Sequence, residues 1–164
     1  MNLLVAVDNN WGIGCENNLL FHIREDMQRF KLLTTGKVVV MGHNTLRSFK
    51  GGRPLPNRVN VVLSGDTGLE IPGAEVCNSI PELTEALRFY PPEDIFVIGG
   101  EAVYTQLLDY CNRAYVTRIN ATAQADTFFP NLDDMENWRL NWESSIKQDG
   151  EIFFKFCVYC ATKK

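Results

Sequence analysis

The stretch KVVVMG, residues 37–42, holds an apolar run from Val38 to Met41 that no polar residue interrupts. Successive side chains of a strand point to opposite faces, so such a run needs apolar cover on both. That cover is found where helices flank a mostly parallel sheet. The rest of the chain reads accordingly. NLLVAV (2–7), VNVVLS (59–64), DIFVIGG (94–100) and RAYVTRINA (113–121) are strand-like, and residues 24–34, 43–49, 79–90 and 101–110 have helical character. Ser79, Pro81 and Glu82 form a capping-box start for the third helix. Residues 8–21 and GGRPLPNR (51–58) read as loops, and WRLNWESS and EIFFKFCVYCAT as an antiparallel pair around Gln148–Asp149–Gly150. The expectation is one α/β domain over residues 1–164. Its central twisted sheet is mostly parallel, with an antiparallel C-terminal edge and helices on both faces.

Charge and cysteine usage narrow the function classes. Sixteen basic and twenty acidic side chains leave a net charge of −4, and no Lys/Arg cluster suggests a nucleic-acid surface. The start MNLLVAVDNN has no basic segment, and its apolar run is too short for a signal peptide or a membrane span, so a cytoplasmic protein is expected. Five cysteines without framework spacing suit a reducing compartment. Cys157 and Cys160 make a C-x-x-C, but in a strand their sulfurs diverge, and no second pair completes a metal site. No metal is expected.

Asp26 raises the sharpest local question. In FHIREDMQRFK, Ile23, Met27 and Phe30 share a helical face, and Asp26 falls on that stripe. A first-turn acid facing water would merely complement the helix dipole. A carboxylate turned inward would need a cationic or hydrogen-bond-donating partner. Gly42 and Gly99–Gly100 follow strands, where ligands of open α/β sheets collect, although GGEAVY is not the G-x-G-x-x-G dinucleotide fingerprint.

Several motifs in one order settle the reading. WGIG-EN (from Trp11), REDMQRFK, VVVMGHNT, GRPLPNR, VIGGEAVY and DTFFP resemble dihydrofolate reductase across essentially the whole chain. The resemblance implies reduction of 7,8-dihydrofolate to tetrahydrofolate by hydride transfer from NADPH to pterin C6, with N5 protonated through water. Asp26 would bind and polarise the pterin, and Thr117 would orient that carboxylate. Leu4, Val5, Met27, Phe30, Phe49, Leu55 and Ile98 would line the folate slot, with Arg58 clamping the glutamate tail. Ala6, Ile13, Gly42, His43, Asn44, Thr45, Ser64, Gly99, Gly100, Glu101, Ala102, Val103 and Tyr104 would hold the cofactor. The loop Trp11–Leu20 would be a mobile lid, the Gly99–Gly100 peptide cis, and the protein a monomer.

Three positions depart from the family pattern. Phe21 replaces a Trp whose N–H helps anchor an active-site water, and Arg24 stands where a Pro usually precedes the helix. His43, Ala102 and Gly65–Asp66 make a weak pocket for the cofactor's 2′-phosphate. A reductase of a pyrimidine intermediate would share fold and cofactor, but gives no reason for Arg58. A non-catalytic folate- or nucleotide-binding module could also keep the pocket.

Overall fold

The computed structural model describes residues 1–162. In chain order it runs β1 (Asn2–Val7), β2 (Gly12–Cys15), β3 (Asn18–Leu19), α1 (Arg24–Thr34), β4 (Val38–Gly42), α2 (His43–Arg47) and β5 (Val59–Leu63). Then follow β6 (Ala74–Cys77), α3 (Ile80–Leu87), β7 (Ile95–Gly99), α4 (Glu101–Leu107) and β8 (Arg113–Ile119). The chain ends with β9 (Thr127–Phe128), β10 (Trp138–Glu143), β11 (Lys147–Asp149) and β12 (Ile152–Ala161).

Among the described residues, the main sheet has the order β10-β12-β8-β1-β7-β4-β5-β6, with β11 also paired to β12. From β8 to β6 every pairing is parallel, whereas β12 runs antiparallel to β8, β10 and β11. The apolar run in β4 explains the layering. Val38 and Val40 join Leu83 and Leu87 of α3 and Val103 and Leu107 of α4 on one face. Val39 and Met41 meet Leu46 of α2 and Phe30 and Leu33 of α1 on the other. Each face thus buries its own stripe. No helix among the described residues is long and apolar enough to cross a membrane.

Several local expectations need correction. Residues 8–21 are not all loop: β2 pairs with β3 and β9 in a separate three-stranded sheet. Its pieces are too short to show a period, so pairing with the distant β9 defines it. Strand β6 also escapes sequence reading, because four residues at a sheet edge carry little pattern. The C-terminal pair is present as one interrupted hairpin. Gly150, with φ 59°, turns β11 into β12, and β10 continues the same arm beyond Ser144–Ile146. Ser144 bridges the break: its backbone N–H donates to the Phe156 carbonyl, and its hydroxyl accepts from the Phe156 N–H. In α3 the Ser79 hydroxyl accepts from Glu82 N–H as expected, but Glu82 reaches back to Asn78 N–H instead of the cap residue.

Candidate active site

Helix α1 begins without a side-chain cap of its own, since Ile23 has no polar group to offer. Asp149, at the tip of the β11–β12 hairpin, replaces it by accepting the Arg24 N–H at 2.8 Å. Lys147 on the same hairpin pairs with Glu25 at 3.0 Å. Two distant contacts therefore set the start of the helix that carries Asp26. The position of Arg24, where the resemblance expects Pro, is consistent with this, because its N–H is used.

Asp26 itself turns inward. The Thr117 hydroxyl on β8 donates to Asp26 Oδ1 at 2.5 Å. Thr117 is buried between Ala6 of β1 and Phe156 of β12, its partners in register, so its hydroxyl has a fixed direction. Burial pushes the Asp26 carboxyl above the usual carboxylate range, while the Thr117 bond and the charge of Arg29 pull it back. The apolar stripe around it divides. Phe30 packs with Leu4, Phe49, Leu55 and Ile98, whereas Ile23 turns to Ile119, Phe154 and Phe156, with Phe21 and Ala6 beside them. Met27 is 49% exposed. The result is an apolar trough with one carboxylate at its inner end.

Arg58 stands beyond the trough on the 55–58 turn. Its Nε donates to the Pro56 carbonyl at 2.9 Å and its Nη1 to the Thr34 hydroxyl at 3.1 Å. Burial lowers its pKa and no carboxylate offsets the effect. Asn60 holds the turn from below: its Oδ1 accepts the Leu55 N–H, and its Nδ2 donates to the Leu55 and Arg58 carbonyls. Sequence reasoning missed Asn60; its only signal was a polar residue inside the otherwise apolar VNVVLS run.

Parallel register gathers the glycine junctions at one end of the sheet. Met41 lies opposite Gly99, and Gly42 opposite Leu63, the residue before Ser64. The Gly99–Gly100 peptide is cis. Gly99 has φ 125°, and a Cβ there would lie 3.3 Å from the Tyr104 ring and 3.5 Å from Thr45 Oγ1. At Gly42 it would lie 3.1 Å from Val103. Side-chain-free backbone is thus gathered at the starts of α2 and α4, with Gly99 buried and Gly42 and Gly100 partly so.

The comparisons with known proteins bear on this arrangement. The family model described as dihydrofolate reductase matches residues 1–162. The chain belongs to the dihydrofolate reductase family. Dihydrofolate reductase of Bacillus subtilis (strain 168) is 37% identical over 161 residues, covering 97% of this chain and 93% of the relative. That of Staphylococcus aureus (strain Mu50) is 36% identical over 140 residues, 85% of this chain and 83% of its own. The solved dihydrofolate reductase from Enterococcus faecalis, complexed with NADP(H) and RAB-propyl, superposes with a TM-score of 0.88. That match has 30% identity and covers 99% of this chain and 96% of the other.

Several residues named from the dihydrofolate reductase resemblance have other partners in the fold. Val103 and Tyr104 send their side chains into the core, where the Tyr104 hydroxyl donates to the Leu4 carbonyl at 2.6 Å. The Glu101 carboxylate accepts the Phe128 N–H at 3.0 Å, joining α4 to β9. These three can offer a ligand backbone more readily than side chain. The Ser64 hydroxyl accepts the Asp66 N–H within its own turn. Next to His43, Asn44 is exposed, and its Oδ1 accepts from Arg47. Ala102 contributes no polar group.

The expected lid is more firmly rooted than the sequence suggests. Trp11 is buried against Phe129 and Tyr159, with the Arg118 guanidinium 4.5 Å from its ring centroid. Asp8, also buried, accepts N–H groups of Asn10, Gly12 and Ala123. The exposed part is Glu16–Leu19, where Asn17 Nδ2 donates to the Asn44 carbonyl at the start of α2. Any lid movement therefore belongs to the 16–19 tip. The signal for Asp8 was an Asp before turn-forming residues, the sequence pattern of an Asx turn.

Proposed function

We propose that the protein reduces 7,8-dihydrofolate to tetrahydrofolate with NADPH, using the Asp26 trough for the pterin. The observation that carries this reading is the Asp26 carboxylate, turned inward beside apolar residues of α1 and oriented by a buried threonine, in a chain of the dihydrofolate reductase family. A carboxylate offers two acceptors, which match the 2-amino group and adjacent ring nitrogen of a pterin. With those two bonds made, Asp26 draws positive character onto the ring and favours protonation at N5. Water delivers that proton.

The glycine junctions fit a dinucleotide. A Cβ at Gly42 would press on Val103 and one at Gly99 on Tyr104 and Thr45, and the φ of Gly99 disfavours any other residue. Backbone groups of Ala6 and Ile13 hold the carboxamide, and Gly42–Thr45, Ser64 and Gly99–Tyr104 surround the remainder. NADPH supplies the hydride from nicotinamide C4 when bound there. Phe30, Leu55 and Phe49 exclude water and hold the substrate's aromatic body, while Arg58 takes its tail carboxylate. All five cysteines are free, in keeping with a reducing compartment such as the cytoplasm.

The test is NADPH oxidation with and without dihydrofolate, repeated with NADH and with a pyrimidine substrate. Oxidation strictly dependent on dihydrofolate is the expected result. Turnover of the pyrimidine alone would overturn the substrate assignment, and binding without turnover would overturn the enzymatic one.

A further inference from the structure

Arg29 has an unusual setting. It follows Asp26 by one helical turn, and its guanidinium carbon lies 4.2 Å from the Phe156 ring centroid and 5.7 Å from that of Tyr115. Phe156 is the register partner of Thr117, and Tyr115 precedes Thr117 by two positions on the same face of β8. The cation thus rests on the patch of sheet from which Thr117 reaches Asp26. It forms no salt bridge among the described residues.

The other charged and titratable groups nearby do not substitute for it. Lys147 lies 5.6 Å from the same Phe156 ring, but Glu25 neutralises it at 3.0 Å. Tyr104 on α4 is held neutral by burial, its hydroxyl given to the Leu4 carbonyl. Tyr115 on β8 and Cys157 on β12 could only add negative charge. Among the described residues, Arg29 is the cation that acts on the carboxylate without a salt-bridge partner of its own.

We propose that Arg29 is a positioning residue for catalysis, its aromatic-seated guanidinium keeping Asp26 ionised inside an otherwise apolar trough. The proposal rests on the pterin-binding reading of Asp26. Burial opposes the carboxylate charge; Thr117 supplies one hydrogen bond against that, and Arg29 supplies the compensating field. An arginine stays charged under all these conditions, so the field is constant with pH. Its outer side borders an open groove between α1 and the β10–β11 arm, where water screens part of the effect.

The experiment is a carbon-13 NMR titration of the Asp26 carboxyl in the ligand-free protein, for the wild type, Arg29→Gln and Arg29→Lys. An opposite charge in close contact moves a carboxyl by about 1–3 pH units, and groove water reduces that here to roughly half a unit to one. Arg29→Gln is therefore expected to raise the Asp26 midpoint by that amount, and Arg29→Lys to restore most of it. The pH midpoint of hydride transfer should move upward in the same variant. Should Arg29→Gln fail to fold, Arg29→Met keeps the packing stem and reads the same shift. An Asp26 midpoint unmoved by charge removal, or moved equally by Arg29→Lys, would overturn the proposal. The titration is independent of turnover, so its failure is distinct from a failure of the role of Asp26, which Asp26→Asn activity tests.

Discussion

Replacing Asp26 by Asn separates what the carboxylate does for the fold from what it does for the substrate. Asn is nearly isosteric, and its Oδ1 can still accept the Thr117 hydroxyl, so the site keeps its shape. Its amide group, however, now confronts a pterin donor. Hydrogen bonds to charged groups contribute about 1.5–3 kcal/mol, against roughly 0.5–1.5 for neutral ones. Two weakened contacts and one opposed donor add up to about 3–5 kcal/mol, or on the order of 10²–10⁴-fold in kcat/KM. Stability should move the other way. Because burial raises the Asp26 pKa in the folded state, the fold holds that proton more tightly than the unfolded chain does. Stability from this group is therefore lost as pH rises from the ordinary carboxylate range through the folded value. At neutral pH the ionised group opposes folding, with Thr117 and Arg29 keeping the deficit small. Asp26→Asn should thus stabilise the ligand-free protein at pH 7.5, seen as a higher Tm. That gain should vanish near pH 4. Calorimetry at both pH values, beside single-turnover NADPH oxidation, checks the two halves together. A variant less stable at pH 7.5, or equally stabilised at pH 4, would refute the reasoning about burial.

Other perturbations probe the remaining parts of the site. Arg58→Lys keeps the charge but loses the plane set by Pro56 and Thr34; steady-state kinetics should show KM for dihydrofolate rising about tenfold with kcat little changed. Gly99→Ala places a methyl against Tyr104 and Thr45 at φ 125°, so denaturant titration should show a loss of about 1–3 kcal/mol, with weaker NADPH binding by calorimetry. His43→Arg introduces a fixed cation at the start of α2, and the NADPH-over-NADH ratio in kcat/KM should rise roughly tenfold; an unchanged ratio would assign the 2′-phosphate to other residues.

The amino-acid sequence by itself determined those features that depend on neighbours along the chain. An apolar run without alternation demanded cover on two faces, and Val38–Met41 have it from separate helix layers. Ser79 capped its helix because the partner N–H is three residues away. Asp26 stood out because helical period alone placed it on an apolar stripe, and the ordered motifs supplied the family. Tertiary structure decided everything that depends on which surface meets which. Asp26 finds its hydroxyl 91 residues away, and the helix carrying it is capped by Asp149 from 125 residues away. Ile23 and Phe30 look alike on the helical wheel, yet they enter different cores, because one end of α1 packs with residues of β8 and β12 and the rest with residues of β4 and β7. Val103 and Tyr104 follow Gly99–Gly100 in sequence but turn into the core, since helical rotation after Gly100 points them there. The charge of Arg29 acquires a use only when Phe156 and Tyr115 are brought beneath it. Periodicity records how much of a side chain is covered, whereas the identity of the covering group is set by pairings between segments that are distant along the chain.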